Sequence, residues 1–134
     1  MTEAVSRFGG RRRWVALVLL GAAVVAGLAA HALLPEGAAS DIMGDALYAV
    51  AAYLAVIVIA PRLQPLAVAG VALAWCVAVE LFQLTGVPQS WGAVFAPLRL
   101  VLGSAFDPRD LLVYALAVIA AFGFDLIVRS ARRP

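Results

Sequence analysis

A glutamate and a glutamine stand one helical turn apart inside an apolar stretch of the sequence. Glu80 and Gln83 both belong to residues 66–84, which are otherwise almost entirely hydrophobic. An acidic side chain at the centre of a bilayer costs about 2.5–3.5 kcal/mol, so it normally faces the protein interior, where it is paired, hydrated or protonated. Glu80 is therefore the first candidate for a functional residue.

Two further polar stripes occur at helical spacing. Asp45 and Tyr48 are three residues apart on one apolar segment, and Asp110 and Tyr114 are four apart on another, so each pair lies on one helix face. Polar faces are unfavourable against lipid, and we predict that they meet in the interior of a helix bundle. The predicted polar cluster comprises Asp45, Tyr48, Glu80, Gln83, Arg99, Asp110 and Tyr114.

The charges of this cluster leave its chemistry open. Acidic groups are in excess, so either some carboxyl groups carry protons or the cluster takes a cation, and Glu80 beside Asp45 would favour a shared proton. Arg99 and Arg109 could instead hold a phosphate of a lipid or of a lipid-linked glycan. Hydrogen bonds between the helices, with no ligand, would explain the same residues.

The sequence gives little support for catalysis or for a metal. An enzyme could use Asp45 and Glu80 as acid and base, with Arg99 holding a phosphate. The chain has no Gly-x-Ser-x-Gly motif and no phosphate-binding glycine loop, and its single histidine and single cysteine form no metal-ligand framework. We expect no metal and no cofactor, and the interpretation leans against an enzyme without excluding one.

The composition indicates a membrane protein. Of the 134 residues, 65% are hydrophobic and 13% are charged, and the mean hydropathy is +1.01. These values lie outside the usual range of soluble domains. Nucleic-acid binding is not expected, because nothing in the sequence indicates a soluble nucleic-acid-binding module.

Four segments are long enough to cross the hydrocarbon core, which takes about 20 helical residues. They are approximately residues 14–34, 42–60, 66–84 and 111–128. The sequence therefore predicts an all-α, integral membrane four-helix bundle that forms one transmembrane domain over residues 1–134. Residues 91–103 are apolar but too short to span, and we predict an interfacial or re-entrant segment there, on the outer side.

The arginines predict the orientation of the bundle. All ten basic residues are arginines, and eight of them fall on the side of the two termini and of the 61–65 turn. Only Arg99 and Arg109 fall on the other side. By the positive-inside rule we expect a multi-pass plasma-membrane protein with both termini cytoplasmic, and the basic side would contact anionic membrane lipid.

Small residues at four-residue spacing permit close helix contact. Gly70, Ala74 and Ala78 form such a line on the third span. The line is compatible with a larger membrane protein as partner or with a homo-oligomer, although alanine is abundant throughout this chain.

Several of these motifs, in this order, resemble the bacterial domain-of-unknown-function family 2809, whose members are small four-helix membrane proteins. The resemblance covers residues 42 to about 122 and rests on Gly44-Asp45, on Glu80-Leu81-Phe82-Gln83, on Leu98-Arg99-Leu100 and on Asp110-Leu111-Leu112-Val113-Tyr114. It implies a fold but no activity.

A more distant similarity is to VanZ-like proteins, which are small membrane proteins associated with glycopeptide-antibiotic resistance. The positions that match are Asp45, Glu80, Gln83, Arg99 and Asp110. The VanZ-like pattern commonly has a histidine one turn after its first acid, where this chain has Ala49. The similarity implies a cell-envelope setting more than a reaction.

We therefore expect an envelope accessory or binding protein with an outer-leaflet polar pocket for a lipid headgroup or a lipid-linked glycan. One alternative is a membrane-embedded enzyme acting on a lipid-linked phosphate substrate, and another is an oligomeric proton- or ion-coupled transporter. Transport would need polar groups in both membrane halves. The inner half offers only Asp125, which is predicted to pair with Arg129 at i,i+4.

Overall fold

The computed structural model describes residues 2–103 and 105–131, and the side chains of residues 9–103 and 105–131. Within these ranges the chain forms six helices and no strand. They are α1 (Thr2–Leu33), α2 (Ala38–Ile59), α3 (Pro65–Gln83), α4 (Val87–Val94), α5 (Leu98–Leu102) and α6 (Pro108–Ser130). Residues Gly9–Leu33 of α1 and the whole of α2, α3 and α6 are long and apolar enough to cross a membrane. The predicted all-α bundle with four membrane-length helices is confirmed.

Proline and local capping explain where the long helices begin and end. α2 ends two residues before Pro61, and α3 begins at Pro65, whose missing N–H is not needed at the first helical position. α6 begins at Pro108, three residues earlier than predicted, because the carboxylate of Asp107 caps it by accepting the backbone N–H of Arg109 at 2.9 Å. α2 likewise begins earlier than the predicted residue 42, at Ala38. The hydroxyl of Ser40 bonds to the backbone of Gly37, the residue that precedes this helix.

The segment predicted to be interfacial or re-entrant, residues 91–103, covers the second half of α4 and the whole of α5. Together α4 and α5 form a cap beside the end of α3, and we call residues 87–102 the α4–α5 cap. Several of its large apolar side chains are exposed, among them Val94 and Phe95.

Helices α2, α3 and α6 pack against one another, and α1 packs along α2. Small side chains occupy much of the shared core, including Ala49, Ala72 and Cys76, which are fully buried. Such residues let helix backbones approach closely, which is the main source of packing energy when the surroundings are lipid. α1 buries Ala16, Ala23 and Ala30, a stripe of seven-residue spacing along one face.

The predicted line of small residues on α3 does not contribute to this core. Gly70, Ala74 and Ala78 are exposed on the single chain, whereas the buried face of α3 carries Val68, Ala72, Cys76 and Val79. The small residues therefore leave an outward face of α3 open to close approach.

The two ends of the bundle differ in charge. At the acidic end α2 and α6 begin and α3 ends, and this end carries Asp45, Glu80 and Asp110. At the basic end α1 and α3 begin and α6 ends, and it carries most of the arginines that the structure describes.

An arginine from α1 joins three segments at the basic end. The guanidinium of Arg12 donates to Asp125 of α6 and to the carbonyl oxygens of Pro61 and Leu63, each at 2.7 Å. The hydroxyl of Tyr53 donates to the same Asp125 carboxylate at 3.0 Å. We call Arg12, Tyr53, Asp125 and Arg129 the arginine clamp. The predicted Asp125–Arg129 pair is present at 3.4 Å, but Arg12 is the nearer partner.

Loss of this arginine should destabilise the bundle. We expect Arg12→Ala to lower the free energy of unfolding by about 2–3 kcal/mol, because it strands the part-buried Asp125 carboxylate and two backbone carbonyls. The measurement is the thermal unfolding midpoint in detergent. Arg13→Ala is the matched control, since Arg13 is an exposed arginine of the same helix turn. Equal midpoints for the two variants would contradict the prediction.

Candidate functional site

Glu80 is fully buried and ties α3 to the start of α6. Its Oε1 accepts the hydroxyl of Tyr114 at 3.0 Å, and its Oε2 accepts the backbone N–H of Asp107 at 3.4 Å. The carboxylate thus lies beside the positive N-terminal end of α6, where backbone N–H groups favour an anion. Both carboxylate oxygen atoms of Glu80 therefore accept hydrogen bonds from within the protein.

Asp45 and Asp110 face each other from the first turns of α2 and α6. Their side chains are close enough to interact, and Glu80 and Asp41 are further acidic neighbours of Asp45. Both side chains are only partly buried. Two carboxyl groups can hydrogen-bond to each other only by sharing a proton, so a direct bond between Asp45 and Asp110 requires that one of them is protonated.

Tyr48 connects α2 to α3 and to the α4–α5 cap. Its hydroxyl donates to the carbonyl oxygen of Val101 at 2.7 Å and accepts the indole N–H of Trp75 at 3.0 Å. Its ring also lies near that of Tyr114, with centroids 6.1 Å apart. Tyr48 and Tyr114 therefore stand side by side and bond to different partners.

Gln83 attaches the end of α5 to α3. Its Nε2 donates to the carbonyl oxygen of Leu102 at 2.9 Å, and the side chain is almost wholly buried. Its Oε1 finds no partner among the residues whose side chains are described. Gly103 packs its backbone against this amide at a φ of 68° and a ψ of −171°, a conformation that essentially only glycine adopts.

The two arginines at the acidic end do not neutralise the buried acids. Arg109 lies 3.4 Å from Asp107, the cap of its own helix. The aliphatic part of Arg99 covers Gly92 of α4, its side chain is exposed, and within the described residues it forms no ion pair. The structure brings together Asp45, Tyr48, Glu80, Gln83, Asp110 and Tyr114, and it places Arg99 in the cap beside them.

Sequence reasoning missed three features of this arrangement. It did not foresee Trp75 as the donor to Tyr48, although an indole N–H in an apolar helix needs an acceptor. It missed the backbone N–H of Asp107 as a partner of Glu80, and it assigned Arg12 to the membrane surface instead of to Asp125. Of these three contacts, only that of Trp75 could have been expected from the sequence.

A resident metal is not indicated by the geometry. Among the residues whose side chains the structure describes, 9–103 and 105–131, no three histidine, cysteine, aspartate or glutamate side chains are grouped so that they could hold a metal ion. The acidic residues instead bond to tyrosine, to backbone and to each other.

A comparison with protein families gives a match over residues 34–118, to a family described as a protein of unknown function, DUF2809. The chain belongs to the DUF2809 family. The match includes every residue of the predicted polar cluster, whereas α1 and the last turns of α6, and with them Arg12 and Asp125, lie outside it. No curated protein and no solved structure matches this DUF2809 protein.

The Glu80–Tyr114 hydrogen bond should couple α3 and α6. We expect Tyr114→Phe to lower the free energy of unfolding by about 1–3 kcal/mol, because a buried carboxylate loses its hydroxyl donor. The same substitution in a Glu80→Gln background should have a smaller effect. Thermal unfolding of the wild type, both single variants and the double variant measures the coupling. Equal losses in the two backgrounds would show that the charge of the carboxylate does not strengthen the bond, because the glutamine oxygen can still accept the hydroxyl.

The backbone of Gly103 should hold the cap in place. We expect Gly103→Ala to release α5, because a Cβ would collide with the amide of Gln83 and the backbone conformation disfavours alanine. Amide hydrogen exchange of residues 98–102 should rise by roughly tenfold or more, as expected for a segment whose local opening has become easier. Gly123→Ala, in an open helical position of α6, is the control. Unchanged exchange in Gly103→Ala would count against the assignment.

Proposed function

We propose that this DUF2809 protein is a binding or accessory protein of the bacterial cell envelope. In this proposal its acidic end recognises a lipid headgroup or a lipid-linked glycan in the outer leaflet. One observation carries it: carboxyl groups from three helices, Asp45, Glu80 and Asp110, meet without a described arginine paired to any of them.

The hydrogen-bond acceptors that remain open at the acidic end indicate which groups such a ligand would need. Glu80 is engaged by Tyr114 and Asp107, so the open acceptors are the partly exposed Asp45 and Asp110. Carboxylates accept hydrogen bonds from hydroxyl and ammonium groups, which are abundant in sugars and in amine-bearing headgroups. Arg99, exposed in the neighbouring cap, could hold a phosphate of the same molecule.

The proposal places the acidic end outside and the basic end in the cytoplasm, so that both termini are cytoplasmic. The distribution of the arginines supports this orientation through the positive-inside rule. In this orientation the acidic end and the α4–α5 cap, with its exposed Trp91 and Phe95, would lie at the level of the outer headgroups.

Transport is less well supported than binding. Between the two ends the core is apolar and buried, with Ala49, Ala72, Cys76 and Val118 separating Tyr114 from Tyr53. A proton or ion path needs polar groups across this layer. Catalysis also has less support, because the carboxyl group facing Asp45 is that of Asp110 while Glu80 is held by two donors.

The accessory part of the proposal rests on α3. The exposed line of Gly70, Ala74 and Ala78 permits close approach of another helix, from a larger membrane protein or from a second copy of the chain.

The test is to identify what the protein retains from its membrane. The wild type, Asp45→Asn with Asp110→Asn, and the control Glu36→Gln would be purified in native nanodiscs and their lipids identified by mass spectrometry. Glu36 is an exposed acid of the same end, outside the cluster. We expect one headgroup or lipid-linked glycan to be enriched in the wild type and control and lost in the double variant.

The contrary result is equally clear. If all three proteins carry only bulk lipid, in the proportions of the membrane, the acidic end is a structural core and does not bind a headgroup. The unfolding midpoint of the double variant must stay near that of the wild type for a loss to be attributed to binding.

A further inference from the structure

A groove opens at the basic end, on the opposite side of the membrane layer from the acidic cluster. It lies between the start of α3 and the end of α6 and has a volume of about 570 Å³, within the range of small-molecule sites. Its lining consists of Gln64, Pro65, Leu126, Ile127, Arg129 and Ser130. Neither the polar cluster nor its proposed role involves these residues.

Arg129 presents a fixed cation to this groove. Its Nε lies 3.4 Å from Asp125 and its Nη2 donates to the carbonyl oxygen of Leu63 at 3.0 Å. Its Nη1 has no acceptor within the described residues, and 37% of the side chain is exposed. The guanidinium is therefore held in position with donors to spare.

The charge of Arg129 is not neutralised by the clamp. Asp125 is the single carboxylate among the four residues of the arginine clamp, and the guanidinium of Arg12 lies 2.7 Å from it. Two guanidinium groups share this carboxylate. The clamp also has a surplus of donors, because the buried Nε of Arg12 has no acceptor among the described residues. The excess of positive charge favours an anion beside Arg129.

The first turn of α3 adds a second source of positive potential. The first hydrogen bond within α3 runs from Val68 to Gln64, so the N–H groups of Leu66 and Ala67 remain unused by the helix. Gln64 provides no side-chain cap. Unused N–H groups at a helix start favour an anion. Gln64 and Pro65, which directly precede them, line the same groove as Arg129.

The remaining wall of the groove is apolar and exposed. Leu126 and Ile127 are 44% and 65% exposed and belong to a helix long enough to span a membrane. A ligand that combines a negative headgroup with a hydrocarbon chain would satisfy both halves of the groove. A free phosphate ester would leave the apolar wall uncovered.

We propose that this groove binds the phosphate of an anionic phospholipid, with Arg129 and the start of α3 as its donors and with Leu126 and Ile127 against an acyl chain. The site is independent of the proposed recognition at the acidic end. It makes the basic end a specific lipid site instead of a general attraction between arginines and a charged surface.

The experiment uses the full chain in phosphatidylcholine nanodiscs that contain increasing fractions of phosphatidylglycerol. Native mass spectrometry counts the phosphatidylglycerol molecules retained. We expect Arg129→Gln to weaken retention by about tenfold or more, while Arg13→Gln, which removes an exposed arginine of the same end, weakens it by no more than about fivefold, the scale of surface attraction.

A second variant separates binding from folding. Gln64→Glu places a negative charge at the start of α3, which should preserve or improve the helix but repel a phosphate. We expect retention to fall as in Arg129→Gln with an unfolding midpoint at least equal to that of the wild type. Equal retention by the wild type, Arg129→Gln and Gln64→Glu would overturn the proposal.

A final arm distinguishes the lipid from a soluble ester. Glycerol 3-phosphate would be titrated into the protein in detergent as a competitor. The proposal expects it to displace phosphatidylglycerol weakly, because it lacks the chain that covers Leu126 and Ile127. Displacement at concentrations similar to those of the lipid would overturn the lipid assignment and make the groove a site for soluble phosphate esters.

Discussion

A carboxylate in an apolar layer has to find hydrogen-bond donors, and the arrangement of this protein depends on how Glu80 meets that requirement. Its two donors, the hydroxyl of Tyr114 and the N–H of Asp107, both belong to the start of α6. Glu80 therefore fixes the height of α6 against α3. That height brings Asp110 opposite Asp45 of α2, while Leu102 and Gly103 lie beside Gln83 of α3.

The two ends of the bundle differ in their balance of hydrogen-bond donors and acceptors. At the basic end one carboxylate, Asp125, is surrounded by Arg12, Arg129 and Tyr53, so donors are in excess. At the acidic end acceptors are in excess, because Asp45 and Asp110 face each other and neither forms an ion pair with an arginine among the described residues. Each imbalance suggests a ligand of the opposite kind, hydroxyl or ammonium groups at one end and phosphate at the other.

The family match covers the whole acidic cluster but only part of the arginine clamp. Residues 34–118 contain the whole acidic cluster and the α4–α5 cap. The clamp unites α1 with the end of α6, two parts of the chain beyond the match, through Arg12 and Asp125. α1 otherwise packs along α2 through a stripe of three alanines, so the clamp adds a polar attachment to an extensive apolar contact.

The sequence by itself determined the class of this protein and the number of its long helices, because apolar length and proline positions act locally. It also predicted that Asp45, Glu80, Gln83, Asp110 and Tyr114 would come together, since helical spacing places polar groups on shared faces. Only the tertiary structure decided which groups bond. Arg12 and Asp125 are 113 residues apart, the partner of Glu80 is a backbone N–H, and Arg99 lies over Gly92 instead of beside an acid. Pairings of this kind depend on helix rotation and height, which the packing of small side chains sets and local sequence patterns do not encode.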